Sequence, residues 1–133
     1  REAGIRETLN FGHTIGHGVE AASGYSLLHG EAIAIGMVAE GRLAENIGIA
    51  TVGTAAAIED AVTRAGLPSR APRGIAPDRV LSLMRSDKKQ RRGVLEYSLP
   101  QRIGEMAGES SGWGIAVDDS IALEVLRGLG NRE

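Results

Sequence analysis

The segment from His29 to Asn46 most constrains what this 133-residue chain can fold into. Its first half is apolar on every side of a helical wheel, through Ala32, Ile33, Ala34, Ile35, Met37 and Val38. A helix without a polar face is buried by its neighbours. We therefore predict a central helix over residues 29–46, ended by Gly48 in a left-handed conformation.

The remaining sequence predicts a mainly α fold around that helix. Hydrophobic spacing near 3.6 residues, with glycine, proline or aspartate near the ends, predicts four more helices over residues 4–23, 52–65, 77–88 and 120–129. Residues 94–99 alternate weakly after a turn at residues 91–93, which predicts a short strand, and one small β-hairpin is compatible with the pattern. Residues 108–114 are rich in glycine and serine and predict a loop.

Composition indicates an ordinary globular domain and excludes several functional classes. The net charge of −2 gives no reason to expect nucleic acid or an anionic membrane as a partner. The chain has no cysteine, so it can form neither a disulfide framework nor a thiolate metal site. No stretch reaches the roughly 18 apolar residues of a membrane span, and no signal peptide is visible. We expect a cytoplasmic protein.

All three histidines of the chain, His13, His17 and His29, fall within its first 29 residues. At about 100° per residue, Arg6, Asn10, His13 and His17 lie within roughly 60° of one another on one helix face. This face combines a permanent cation, an amide and two imidazoles. Such a set suits an anionic, oxygen-rich ligand together with a metal ion.

The residues beside the histidines leave the ligand set open. Three imidazoles would complete a catalytic zinc site with one open position. A carboxylate could equally replace one of them, and Glu20 and Glu31 are nearby in the sequence, although a surface role and a helix-start role explain them at least as well. Gly12 and Gly16 are four residues apart and would form a smooth strip that lets another backbone or a ligand come close.

A second cluster of charge, Asp-Lys-Lys-Gln-Arg-Arg, occupies residues 87–92. It is typical of a solvated helix end, where cations are favourable, and it also suits phosphate or carboxylate binding. No strand followed by a G-x-G-x-x-G turn, no P-loop and no G-x-S-x-G elbow occurs in the sequence. The chain by itself therefore lacks the usual sequence signatures of dinucleotide binding and of a serine nucleophile.

These motifs together resemble 3-dehydroquinate synthases. The resemblance lies in LNFGHTIGH at residues 9–17, Gly24-Tyr25, HGEAIAIGM at residues 29–37, Asp87-Lys88-Lys89 and, further on, Leu99-Pro100 with Ile103-Gly104. It runs over nearly the whole chain but covers only the helical, C-terminal domain of the family. It therefore implies a single metal- and substrate-binding domain over residues 1–133, without the N-terminal NAD-binding domain. The start at Arg1 is what a fragment or a processed product would show.

The resemblance also implies roles for individual residues. His13 and His29 match the two histidines that bind the family's metal, zinc or cobalt, and the third family ligand is a glutamate that would precede this chain. His17 matches a histidine that contacts the substrate phosphate, and Asn10 matches a residue of the same region. Arg6 matches an arginine that pairs with a substrate anion, which we take to be the carboxylate.

Lys88 and Lys89 match a basic pair of the family's substrate site. The implied activity is that of a carbon–oxygen lyase acting on phosphate, in the shikimate pathway of aromatic amino acid biosynthesis. It converts a small phosphorylated sugar acid, 3-deoxy-D-arabino-heptulosonate 7-phosphate, to 3-dehydroquinate and phosphate. NAD transiently oxidises a ring hydroxyl of the substrate, and phosphate leaves by β-elimination. We expect the missing domain to bind most of the NAD and the chain alone to be inactive.

Two alternatives remain at the level of sequence. The chain could belong to another sugar-phosphate cyclase, because those enzymes share the histidine motif. It could also be a stand-alone helical module that binds a metal or an anion without catalysis. If a separate NAD-binding domain docks on this chain, the apolar surface where it docks would be exposed in its absence, and a homodimer is one arrangement that would cover that surface.

Overall fold

A computed structural model describes residues 11–88, 95–102, 105–106 and 115–130. The helices are α1 (His13–Ala22), α2 (His29–Asn46), α3 (Thr54–Arg64), α4 (Pro77–Lys88) and α5 (Asp119–Leu126). The strands are β1 (Leu95–Tyr97), β2 (Pro100–Arg102), β3 (Glu105–Met106) and β4 (Ile115–Val117). The predicted mainly α class is confirmed. Within these ranges, no helix has the length and hydropathy that crossing a membrane would require.

Helix α2 is the centre of the fold, with the bounds that its sequence predicts. Helices α1, α3 and α5 all pack against it, while α4 packs against α1 and α5. Its buried residues lie on several sides of the helix and include Ala32, Ile35, Val38, Leu43 and Ala44. Gly48, just beyond its end, has a φ of 80°. The central position of α2 explains why a helix of this length carries so little exposed polar surface.

Two apolar clusters hold the helices together. The larger one joins α1, α2, α4, α5 and strands β1 and β4 through residues such as Ile15, Ile35, Met84, Leu95 and Leu126. The smaller one lies between α2 and α3 and consists of Ala34, Val38, Ile58 and Val62, with Phe11 and Met37 packed at its edge. Helix α2 contributes to both clusters, so it helps to position both α1 and α3.

The strands form two small antiparallel pairs. Strands β2 and β3 make a short hairpin in which Pro100 lies opposite Met106. The predicted strand over residues 94–99 is present as β1, and its partner is β4, with Tyr97 opposite Ile115. The sequence analysis expected one short strand and one small hairpin, so it did not predict β4 or the second strand pair that β4 forms with β1. The predicted turn at residues 91–93 and the predicted loop at residues 108–114 lie outside the described residues.

Three predicted helix bounds need correction. The helix predicted over residues 4–23 is not continuous, because Gly12 has a φ of 87° and α1 begins at His13. Likewise Gly53, with a φ of 98°, delays the start of α3 to Thr54. A left-handed residue cannot continue a right-handed helix, so each glycine sets a boundary. Helix α5 ends at Leu126 and residues 127–130 form turns instead of further helix.

Candidate metal centre

The three histidines come together where α1 meets the start of α2. His13 and His17 lie one turn apart on α1, and His29 is the first residue of α2. One nitrogen from each imidazole can be chosen so that all three lie within 4.8 Å of one another. The ring centroids are 5.4 Å apart for His13 and His17, 5.8 Å for His13 and His29, and 5.7 Å for His17 and His29.

Hydrogen bonds at Nδ1 orient the rings of His13 and His29. His13 Nδ1 donates to the Phe11 carbonyl oxygen at 3.3 Å, and His29 Nδ1 donates to Glu20 Oε1 at 3.2 Å. In this tautomer Nε2 carries no proton and can donate its lone pair to a metal ion. Glu20 therefore orients the ring of His29.

Glu31 has the helix-start role that the sequence analysis gave as one explanation for this residue. Its Oε1 accepts a hydrogen bond at 2.9 Å from the backbone N–H of Leu28, the residue that precedes α2. This contact is the glutamate half of a capping box, which helps to hold the first turn of a helix. Because that turn begins with His29, Glu31 supports the position of this histidine.

Helices α1 and α2 approach each other through glycine. A β-carbon added to Gly36 would lie 2.1 Å from the carbonyl oxygen of Gly12 and 2.8 Å from Cα of Gly16. No real β-carbon could occupy that space, so the two backbones touch. The predicted smooth strip of Gly12 and Gly16 is confirmed, and the element that it admits is the backbone of α2.

A buried carboxylate that the sequence analysis missed lies one turn after Gly36. The side chain of Glu40 is fully buried, and it accepts hydrogen bonds from the backbone N–H of Gly12 at 2.7 Å and of Ile15 at 2.9 Å. Glu40 therefore caps the N-terminal end of α1 from a neighbouring helix. The available signal was an acidic residue inside an otherwise apolar stretch of α2, at helical spacing from Gly36.

Two depressions flank the histidine cluster and differ in polarity. A cavity of about 410 Å³ is lined by His17, Glu20, Ala21, Tyr25, Leu83 and Ser86, so the last turns of α4 face His17 across it. A more open groove of about 500 Å³ is almost wholly apolar. It is lined by His13, His29, Gly30, Ile33, Ala34, Met37, Ala61, Val62, Ala65 and Leu67. The polar cavity adjoins His17, whereas the apolar groove adjoins His13 and His29.

Of the other predicted site residues, Lys88 alone lies within the described residues. Lys88 is the last residue of α4, two positions after Ser86 of the polar cavity. Arg6, Asn10 and Lys89 lie outside the described residues. The predicted helix face that joined Arg6 and Asn10 to His13 and His17 depended on one continuous helix, and the break at Gly12 removes that argument.

The histidine cluster fits a divalent transition metal. Imidazole nitrogen is a preferred ligand of zinc and of its chemical neighbours, and the cluster offers three such nitrogens in a chain without cysteine. The side chain of His29 is 57% exposed, so a ligand from solvent or from another part of the protein could reach the cluster. The neighbouring nitrogens must move slightly closer together to share one ion, which side-chain torsions allow.

Comparison with known proteins relates this chain to one enzyme family. Residues 1–90 match the family model described as 3-dehydroquinate synthase C-terminal. The 3-dehydroquinate synthase of Synechococcus sp. is 43% identical over 107 residues, which are 80% of this chain and 29% of the relative. That of Nostoc punctiforme is 35% identical over 128 residues, or 96% of this chain and 33% of the relative. The chain thus spans about a third of the length of these relatives.

A solved structure shows the same fold. The crystal structure of 2-deoxy-scyllo-inosose synthase complexed with carbaglucose-6-phosphate, NAD+ and Co2+ superimposes with a TM-score of 0.78 at 25% sequence identity. The matched region covers 89% of this chain and 32% of that one. The helical arrangement described above is therefore that of one portion of a larger enzyme.

Proposed function

Since this chain belongs to the family of 3-dehydroquinate synthase C-terminal domains, we propose that it supplies the metal- and substrate-binding part of that enzyme. The proposed reaction converts 3-deoxy-D-arabino-heptulosonate 7-phosphate to 3-dehydroquinate and phosphate. The observation that carries the proposal is the convergence of His13, His17 and His29, whose nitrogens lie within 4.8 Å of one another at the junction of α1 and α2.

His13 and His29 are the proposed metal ligands of this chain. Both have Nδ1 engaged by a hydrogen bond, so both present an imidazole held for ligation through Nε2. A zinc or cobalt ion bound there would polarise a substrate oxygen and orient the substrate hydroxyls. The third ligand is proposed to come from a part of the protein outside this chain, as the family resemblance implies.

His17 is the proposed phosphate contact. It adjoins the polar cavity, and α4 approaches the same cavity through Leu83 and Ser86. A protonated imidazole donates hydrogen bonds to an anion and carries a complementary charge. Lys88, at the end of α4, and Lys89 would add further positive charge to a phosphate or a carboxylate. We assign Asn10 to the same phosphate region and Arg6 to the substrate carboxylate.

The division of labour between domains is part of the proposal. The chain acts as one helical domain over residues 1–133, and NAD is bound mainly by a separate N-terminal domain. The threefold greater length of the relatives and the NAD+ in the 2-deoxy-scyllo-inosose synthase structure support this division. The enzyme would act in the cytoplasm. In a chain without its partner domain, a homodimer could cover the apolar groove beside His13 and His29.

A second candidate function is the cyclisation of a different sugar phosphate. The structural likeness to 2-deoxy-scyllo-inosose synthase, with a TM-score of 0.78, favours it specifically. The two candidates share the metal site and differ in the acid group of the substrate, because only the dehydroquinate synthase substrate carries a carboxylate. Arg6, proposed to pair with that carboxylate, is the residue of this chain that would distinguish them.

The proposal is tested by phosphate release from the complete protein supplied with NAD and Zn²⁺ or Co²⁺. We expect turnover of 3-deoxy-D-arabino-heptulosonate 7-phosphate and little turnover of glucose 6-phosphate; the reverse preference would establish the second candidate. The His13→Ala variant should lose the metal and nearly all activity. The His17→Ala variant should keep the metal and bind the substrate more weakly. The 133-residue chain alone should release no phosphate, and measurable turnover by it would refute the proposed division of labour.

A further inference from the structure

We propose that Glu40 is a positioning residue for the metal centre: its buried carboxylate fixes the register of α1 against α2 and thereby sets the spacing of His13 and His29. This inference rests on the proposed metal site. Its basis is geometric, because the two histidines lie on different helices and no covalent constraint fixes the distance between them. That distance is determined by how α1 packs on α2.

The contact between the helices has two parts, and both lie near His13. Gly36 determines how closely the backbones approach, since a β-carbon there would lie 2.1 Å from the Gly12 carbonyl oxygen. Close approach alone leaves α1 free to slide or rotate along a smooth glycine surface. Glu40 is one helical turn further along α2, and its two oxygens accept from Gly12 N–H at 2.7 Å and Ile15 N–H at 2.9 Å.

These two hydrogen bonds bracket the first metal ligand. Gly12 immediately precedes His13, and Ile15 follows it by two residues. Each oxygen of the carboxylate binds a different amide, so the carboxylate defines both the position and the rotation of the first turn of α1. His29 lies at the start of the same rigid helix as Glu40, and α2 therefore relates the two histidines through a single element.

The N-terminal end of α1 is a favourable place for the Glu40 carboxylate. An isolated buried charge is costly, but the N-terminal end of a helix presents unpaired amides and a partial positive charge. Glu40 supplies an acceptor that α1 itself lacks, since the residue before its first turn is Gly12, which has no side chain. The amides in turn offset the desolvation of the charge.

A second glutamate on α2 provides a matched control. Glu45 Oε2 accepts a hydrogen bond at 2.7 Å from Ala55 N–H, near the N-terminal end of α3, which also begins after a glycine. Glu45 therefore performs the same type of capping on a helix that carries no histidine. A loss of stability without a change in metal affinity is the expected result of neutralising it.

The test compares the Glu40→Gln and Glu45→Gln variants of the complete protein. Zinc affinity is measured by competition with a chromophoric chelator, and the visible d–d spectrum of the Co²⁺-loaded protein reports ligand geometry. We expect Glu40→Gln to weaken zinc binding about tenfold or more and to alter the cobalt spectrum. Glu45→Gln should leave both unchanged. Glu40→Asp keeps the charge but cannot reach both amides, so it should restore only part of the affinity.

An affinity and a spectrum of Glu40→Gln that match those of Glu45→Gln would overturn the inference. If Glu40→Gln does not fold, the same comparison is made with Glu40→Asp. Failure of both to fold would also overturn it, because Glu40 would then be needed for the fold rather than for the spacing of the ligands. A wild-type protein that binds no zinc would refute the proposed function as well, an outcome distinct from wild-type binding that neither Glu40 variant changes.

Discussion

Helix α2 caps two neighbouring helices, and the two junctions differ in how tightly they are held. Both α1 and α3 begin after a glycine in the left-handed region, and both receive a glutamate of α2 at their N-terminal end. Glu40 at the α1 junction is fully buried and makes two hydrogen bonds, whereas Glu45 at the α3 junction is partly exposed and makes one.

The helix packing next to the two capping glutamates also differs, and the α1 junction is again the tighter one. At the α1 junction, a β-carbon on Gly36 would collide with backbone atoms of Gly12 and Gly16. At the α3 junction, a β-carbon on Gly41 would first meet the end of the Ile58 side chain at 3.0 Å. Only the α1 junction joins two histidine-bearing helices. The comparison teaches that the same type of cap, a glutamate of α2, can stabilise ordinary helix packing at α3 and, as we propose, also position metal ligands at α1.

The largest expected difference between the junctions comes from filling their glycines. Gly36→Ala should lower the free energy of unfolding by about 3 kcal/mol or more, because backbone atoms cannot move aside. Gly41→Ala should change it by no more than about 1 kcal/mol, since Ile58 can shift and alanine favours the helix. Urea unfolding of both variants checks this. Equal losses would mean that the two junctions are packed alike.

Truncating the two caps should give the next largest difference. Glu40→Ala leaves two buried amides without this acceptor and should lower the free energy of unfolding by about 2–4 kcal/mol. Glu45→Ala removes one partly exposed cap and should lower it by about 1 kcal/mol. Thermal unfolding measured by circular dichroism gives both values. A larger loss for Glu45→Ala would reverse the ranking of the junctions.

The comparison extends to the two glutamates near His29. Glu20→Ala removes the acceptor for His29 Nδ1 and should weaken zinc binding about tenfold. Glu31→Ala removes a capping contact and should lower the free energy of unfolding by roughly 0.5–1 kcal/mol without changing zinc affinity. Zinc titration of both variants separates these effects. A loss of affinity confined to Glu31→Ala would show that Glu20 does not orient the histidine.

The smallest effect concerns Tyr97, whose buried hydroxyl has no hydrogen-bond partner among the described residues. Burial raises the pKa of Tyr97 well above its usual value, the charge of Glu40 raises this pKa further, and Arg85 opposes the shift. Because the unfolded tyrosine ionises near pH 10 and the folded one resists, stability is lost as the pH rises above about 10.

Phenylalanine at this position removes that alkaline loss. Tyr97→Phe should therefore unfold less readily than the wild type above pH 10 and differ by less than about 1 kcal/mol at pH 7. In Glu40→Gln the pKa of Tyr97 should fall toward its usual value, and in Glu45→Gln it should not. The absorbance of tyrosinate during an alkaline titration measures the pKa of Tyr97 in each variant. An identical titration of Tyr97 in both variants would place its hydroxyl beyond the influence of Glu40.

The sequence was the best guide to the features that depend on local residue patterns. Helix α2 has the predicted bounds because its apolar run and Gly48 mark both ends. The neighbouring pair His13 and His17 follows from spacing on one helix, and both the crowding of all three histidines into the first 29 residues and the family resemblance grouped His29 with them. The continuous helix through residue 12 was wrong, because helical periodicity does not register the left-handed conformation of Gly12.

Features that depend on distant residues could not be predicted in the same way. Strand β4 has three residues and exists through its pairing with β1. The contacts of Glu40 with Gly12 and Ile15 span 28 and 25 positions of the sequence. The residues near Glu40 in the sequence do not indicate which backbone amides will donate hydrogen bonds to its carboxylate. The same holds for Glu20, whose partner His29 lies beyond the turn that separates α1 from α2.

The central claim is that His13 and His29 hold a divalent metal while His17 faces the substrate phosphate. A crystal structure of the complete protein, with anomalous data collected at the zinc edge, tests it most directly. We predict one anomalous peak within about 2.0–2.2 Å of a ring nitrogen of both His13 and His29, with His17 outside the coordination sphere. A peak coordinated by all three histidines, or no peak near His13 and His29, would contradict the claim.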